Sequence, residues 1–150
     1  MINNINYSNL TKMKSNCLTC GIEFSFSPSQ KTGKYCSNKC QQKYQQKKVI
    51  DDWKKDPNTG VKAGFRLKSG IREYLLEKYN HQCSSCGWNK VNPSTGKSPL
   101  EIDHIDGNCS NNKEENLRVL CPNCHSLTEN YKALNKGNGN RKRHQYFGLI

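Results

Sequence analysis

The sequence predicts a small α+β protein. A ββα unit around a metal, closed by a structural four-cysteine zinc clamp, follows a smaller four-cysteine zinc-binding module. Three observations predict it. Eight of the nine cysteines fall into two groups, Cys17-x2-Cys20…Cys36-x3-Cys40 and Cys83-x2-Cys86…Cys121-x2-Cys124, spacings that suit tetrahedral zinc. Residues 100–105 alternate as a strand, residues 117–120 return as a second, and Pro122 stands at a permitted first helical position. Hydrophobic content of 33% and a mean hydropathy of −0.96 leave little core for 150 residues, so metals are the expected staples.

In chain order, residues 1–16 are Asn-rich, polar and without apolar period, the pattern of a disordered tail. Residues 17–56 form the N-terminal zinc-finger module. Gly21 permits the tight turn after the first knuckle, and Phe24 and Phe26 alternate with serine as in a short strand. Ser37 is the expected N-cap of a polar helix over 41–55, with Tyr44, Val49 and Trp53 as a narrow apolar stripe. Pro57, Gly60 and Gly64 end that helix, so 57–68 reads as a linker. The second half, 69–136, opens with a helix over 69–80, Ser69 its N-cap and Ile71, Tyr74 and Leu75 on its buried face. Trp88 should cover the second zinc site or the core, and residues 92–96 carry a turn signal. In the strand at 100–105, Leu100, Ile102 and His104 share one face, and Glu101, Asp103 and Ile105 the other. A polar loop follows at 106–115, then the return strand and a final helix over 122–134. Residues 137–150 are a basic tail.

Charge bounds the partner. The net charge is +12: residues 1–49 contribute +7, residues 130–150 contribute +5, and the centre is neutral. Two tetrathiolate zinc sites would leave about +8, which still favours a polyanion. Lys43, Lys47 and Lys48 on the first helix, Arg118 on the return strand, and Arg141, Lys142 and Arg143 in the tail are the candidate phosphate contacts. Arg118 could equally be a solvated strand residue. No apolar run approaches membrane-spanning length, and no N-terminal stretch has the pattern of a signal peptide. Knuckle spacing suits metal better than disulfides, so a reducing compartment such as the cytoplasm is expected. Cys109 is then a spare loop thiol.

The stretch 100–125 carries the chemistry. Asp103-His104, Asp106-Gly107-Asn108, Asn112, Asn116-Leu117-Arg118 and Cys121-Pro122-Asn123-Cys124-His125 stand at several fixed spacings at once. With Cys83-Ser84-Ser85-Cys86-Gly87-Trp88 upstream, they resemble the zinc-clamped, phage-associated HNH endonucleases over roughly residues 66–145. The resemblance implies a ββα-metal (His-Me finger) nuclease core and cleavage of double-stranded DNA to 5′-phosphate and 3′-hydroxyl ends. It implies that Asp103 and His125 hold the catalytic ion, that His104 is the general base, and that Asn116 braces the loop and fixes His104. A carboxylate with an imidazole suits Mg²⁺ or Mn²⁺, beside two structural Zn²⁺. A homing enzyme of a phage or mobile element, working in a host cytoplasm, fits the same resemblance. For Asp103 and His104 to serve one site, the strand must end or bulge there.

Each residue has a plainer reading. His104 could be a strand histidine at the surface, His125 a zinc ligand in place of a cysteine, and Asp103 a turn former. A zinc-stabilised DNA-binding protein without cleavage explains the charge and the cysteines equally well. It does not explain Asp103, His104, Asn116 and His125 together.

Overall fold

A computed structural model describes residues 12–29, 32–63 and 66–135. Arg141, Lys142 and Arg143, with residues 1–11 and the rest of the basic tail, lie outside the described residues. The chain divides into two compact units, residues 1–48 and 49–150.

In the first unit, β1 (Met13–Asn16) and β2 (Glu23–Phe26) form an antiparallel hairpin with Met13 opposite Phe26 and Asn16 opposite Glu23. The first knuckle closes the hairpin: Cys17 N donates to Ile22 O at 3.0 Å and Gly21 N to Cys17 O at 2.9 Å. Gly21 sits at φ +74°, a conformation that side-chain-bearing residues rarely adopt. Helix α1 (Asn38–Lys55) starts after Ser37, whose Oγ accepts from Cys40 N at 3.2 Å, so Ser37 is the N-cap as the sequence suggests. The rings of Tyr35 and Tyr44 meet at 5.4 Å.

The second unit holds the core. Trp53 at the end of α1, Ile71, Leu75 and Leu76 of α2 (Ser69–Lys78), Leu100, and Leu117, Val119 and Leu120 of β6 pack together with Cys83 and Cys121. Trp88 packs partly buried against this cluster. Strand β5 (Glu101–His104) pairs antiparallel with β6 (Leu117–Leu120) in unbroken register from Glu101↔Leu120 to His104↔Leu117. The strand therefore ends at His104 without a bulge. The second knuckle joins the sheet edge through Ser84 N to Val119 O, 2.8 Å.

Four elements differ from the sequence expectation. Residues 13–16, expected within a disordered tail, are strand β1, because the first knuckle folds Glu23–Phe26 back against them. Residues 57–68 are not a plain linker: a 3-10 turn (Pro57–Gly60) leads into a small hairpin, β3 (Val61–Lys62) with β4 (Arg66–Leu67). Gly60 is buried there, and a Cβ on it would lie 2.3 Å from Trp53 Cδ1. Ser69 is the first helical residue of α2, not its N-cap; Lys68 takes that place in extended backbone (φ −60°, ψ 144°), its N–H bonded to Gly60 O at 2.8 Å. The last helix, α3, stops at Ser126 (Pro122–Ser126), and a 3-10 turn (Lys132–Leu134) follows. Thr128 Oγ1 donates to His125 O at 2.9 Å, a local bond that competes with helix propagation. Asn130 and Asn135 turn back to bind Ile105 O and Gly107 O.

Residues 92–97 close on themselves. Asn92 N donates to Lys97 O, Gly96 N to Asn92 O, and Asn92 Oδ1 accepts from Ser94 N and Thr95 N. Among the described residues, no helix is long and apolar enough to cross a membrane.

Candidate functional site

Both cysteine groups assemble as their spacing suggests. In each, the four sulfurs lie within 4.8 Å of one another. Zinc–sulfur bonds of about 2.3 Å in a tetrahedron place sulfurs roughly 3.8 Å apart. Cys20 and Cys36 are 3.7 Å apart, Cys36 and Cys40 3.5 Å, and Cys86 and Cys121 3.8 Å. The donor set fits zinc by its electrostatics too. Burial pushes the Cys17 thiol up, but amides at Cys36, Cys20 and Thr19 outweigh it and bring it down to about 6. Cys83 is likewise brought to about 6 by the amides of Cys121, Cys86 and Ser85, against burial. The sulfurs of Cys40 and Cys20 push Cys36 up to about 12, and those of Cys86 and Cys121 do the same to Cys124. In each group the neighbouring groups favour one thiolate, Cys17 or Cys83, and oppose another, Cys36 or Cys124; a divalent cation lets all four ionise.

The face of β5 that carries Glu101 and Asp103 meets α3. Pro122 starts that helix, and Cys121 Sγ caps it from Cys124 N. This sets His125 against the sheet. Its Nε2 lies 3.6 Å from Asp103 Oδ1, and its Nδ1 bonds Glu101 Oε2. The ring of Tyr131 stands edge-on to it at 5.3 Å. His125 therefore faces two carboxylates and is not one of the clamp's four ligands. Two ligands of one Mg²⁺ lie no more than about 4.2 Å apart, so Asp103 Oδ1 and His125 Nε2 fit a shared ion. Asp103 is buried, and its Oδ2 accepts from Arg118 Nε at 2.8 Å. Arg118 is the cross-strand neighbour of Asp103, and that register accounts for the pair.

His104 lies on the other face of β5, at the strand's last position. Its Nε2 is 3.1 Å from Asn112 Oδ1. Asn116 does different work: its Nδ2 donates to Asp106 Oδ1 (2.9 Å) and Asn111 O (2.8 Å), and its Oδ1 accepts from Asp106 N (3.1 Å). Among the described residues the side-chain partner of His104 is Asn112, while Asn116 braces the loop that follows it. Burial pushes Asp106 up, but bonds from Asn111, the Asn108 amide and Asn116 outweigh it and hold its carboxyl below the usual range. Trp53 Nε1 donates to Asn112 O at 2.7 Å, tying the loop to the core. On the loop's far side, Glu114 takes Lys78 at 2.7 Å and Tyr74 Oη at 2.8 Å, with Lys54 at 3.3 Å.

The structure thus brings Asp103 and His125 together with Arg118, and Asn116 into the loop. Lys43, Lys47 and Lys48 are exposed along α1. The sequence alone marks neither Glu101 nor Trp53 as a site residue and assigns Asn112 no role. The period-two pattern already puts Glu101 on Asp103's face; a contact between Trp53 and a loop 59 residues away leaves no local signal.

Over 75 residues, 50% of this chain, the protein is 40% identical to the H-N-H endonuclease F-TflIV of Escherichia phage T5. Over 55 residues, 37% of the chain, it is 42% identical to the Zorya protein ZorE of Escherichia coli. These stretches are 31% and 14% of the two relatives, so the chain spans less than a third of the length of the curated proteins it matches. No family model matches the chain, and no solved structure matches it.

Proposed function

We infer, on the premise that the comparisons support the HNH-type nuclease family for this chain, that it is a metal-dependent endonuclease acting on double-stranded DNA. The observation that carries this reading is the approach of Asp103 Oδ1 and His125 Nε2 to 3.6 Å, with the second nitrogen of His125 bound to Glu101. Strands β5 and β6 with α3 form the ββα-metal core of a nuclease domain that extends the expected 69–136 back to the end of α1, since Trp53 packs into its core. Residues 17–48 are a DNA-binding arm, and Lys43, Lys47 and Lys48 meet phosphates. Arg118 is better read as the orienting partner of Asp103 than as a phosphate contact.

Asp103 and His125 would hold Mg²⁺ or Mn²⁺. An ion held there would supply positive charge to offset the phosphate and to stabilise the leaving 3′-oxygen. His104 takes the proton of the attacking water, and the products carry 5′-phosphate and 3′-hydroxyl ends. Asn116 keeps the loop after β5 closed. Two Zn²⁺ in the cysteine groups are structural, since four protein ligands leave no open position. A homing enzyme of a phage or mobile element, acting in a host cytoplasm, is the cellular role that fits.

Plasmid cleavage with Mg²⁺ or Mn²⁺ tests this, with DNA binding followed by gel shift. Wild type should cut, and His104→Ala should bind equally while losing about 10²- to 10⁴-fold in rate. An active His104→Ala protein would remove the centre of the mechanism. Binding without cleavage by either protein, over several sequences and both metals, would favour the DNA-binding reading instead.

A further inference from the structure

Asn112 is buried, with only 4% of its surface exposed. Its amide orientation is set by three neighbours. Nδ2 faces the carbonyls of Ser110 at 3.3 Å and Cys109 at 3.5 Å, which accept and cannot donate. The atom turned to His104 is therefore Oδ1, 3.1 Å from Nε2. An amide oxygen carries no proton, so the proton of that bond belongs to His104 Nε2. In neutral His104 the lone pair is then on Nδ1. The backbone of Asn112 is held as well, because Trp53 (1% exposed) donates its indole N–H to Asn112 O at 2.7 Å. The loop residue is clamped from the core side through its main chain and reads His104 through its side chain.

We propose that Asn112 is the positioning residue for His104: it holds the Nε2–H tautomer and the ring plane, and makes Nδ1 the atom that accepts the proton of water. This rests on the reading of His104 as general base. A ring free to exchange tautomers spends part of its time with a proton already on the reacting nitrogen, and a ring free to turn loses its aim. Trp53 acts one step further back, by fixing the main chain from which Asn112 reaches. Asn116, which holds the same loop through Asp106 and Asn111, makes no part of this bond.

The test uses the full zinc-loaded chain, ¹⁵N-labelled at histidine, in long-range ¹H–¹⁵N correlation spectra at a pH of about 8 to 9, where imidazole is neutral. His104→Gln identifies its signals among the four histidines. Wild type should show a pyrrole-like Nε2 and a pyridine-like Nδ1. In Asn112→Ala the two shifts should move towards each other, with kcat for DNA cleavage down by about 10- to 100-fold, the range typical of groups that hold a histidine ring, and KM little changed. Asn112→Asp keeps the acceptor but loses both donors to the Cys109 and Ser110 carbonyls. Positioning predicts that it keeps the wild-type spectrum and most of kcat. A purely structural brace predicts that it does at least as badly as alanine, and that result would overturn the proposal. So would a pyridine-like Nε2 in the wild type, a measurement that needs no variant to fold. A wild type with the expected tautomer that cuts no DNA would sink the nuclease reading while the Asn112–His104 assignment stands.

Discussion

Removing the Asn116 side chain beyond Cβ measures how firmly the loop between β5 and β6 is tied. The side chain is 8% exposed and makes three hydrogen bonds, one of them to a carboxylate. Neutral bonds contribute about 1 kcal/mol each and a charged acceptor about 1.5–3, which sets an upper bound near 5 kcal/mol. Asp106 is exposed and would be rehydrated, recovering much of the largest share. The expected loss for Asn116→Ala is therefore about 2–3 kcal/mol. Urea unfolding followed by tryptophan fluorescence is a selective assay, because Trp53 and Trp88, the chain's two tryptophans, both lie in the 49–150 unit. With a slope of about 1–3 kcal/mol per molar, the midpoint should fall by roughly 1–2 M. Asn116→Asp keeps the oxygen that accepts from the Asp106 amide but sets a carboxylate where Nδ2 stood, 2.9 Å from Asp106 Oδ1. It should cost at least as much at neutral pH. A midpoint shift below about 0.3 M for alanine at unchanged slope would refute the bracing role.

Three further outcomes are expected. Elemental analysis should find two zinc ions per chain, and Cys83→Ser should unfold the 49–150 unit, since zinc binding supplies on the order of 10 kcal/mol of folding free energy; a melt unchanged by that substitution would speak against the clamp. Glu101→Gln should weaken divalent-ion affinity at the Asp103–His125 pair by about 10- to 100-fold without unfolding the chain, as loss of a histidine's outer partner does; calorimetric titration with Mn²⁺ on the zinc-loaded protein reads this directly. Gly60→Ala should destabilise by about 1–3 kcal/mol, because the new methyl meets Trp53 at 2.3 Å and Ile71 Cδ1 at 2.8 Å; a thermal midpoint within a degree of wild type would mean the turn yields more easily than its packing suggests.

What could be read in advance was what is local. Cys17 and Cys20, or Cys121 and Cys124, announce their knuckles because ligand spacing is a short-range constraint. The strand at 100–105 declares its faces by alternation, which put Glu101 beside Asp103 before any contact was known. Pro122 marked the start of α3, but Leu127 fits a helical pattern and is 84% exposed in a turn; Asn130 and Asn135 are drawn off to bind the loop. Ser69 looked like a cap because the cap signal is intrinsic, whereas the β3–β4 pairing that gives the position to Lys68 is tertiary. Asn112 was invisible as a partner of His104 for the same reason. A side-chain amide in a polar loop has no period, and its role depends on Trp53, brought in by α1. Arg118 was open between phosphate and solvent until the register put it opposite Asp103.

The turn at 92–97 satisfies its own polar groups, and none of its hydrogen bonds reaches the sheet, the clamp or the core. It is thus a natural port for protein engineering. A peptide tag, a dye-bearing residue or a second binding module inserted there would ride on the folded unit as a passenger. The carrier's own geometry would be undisturbed, because the ends that receive the graft are already held together by the Asn92 and Lys97 backbones.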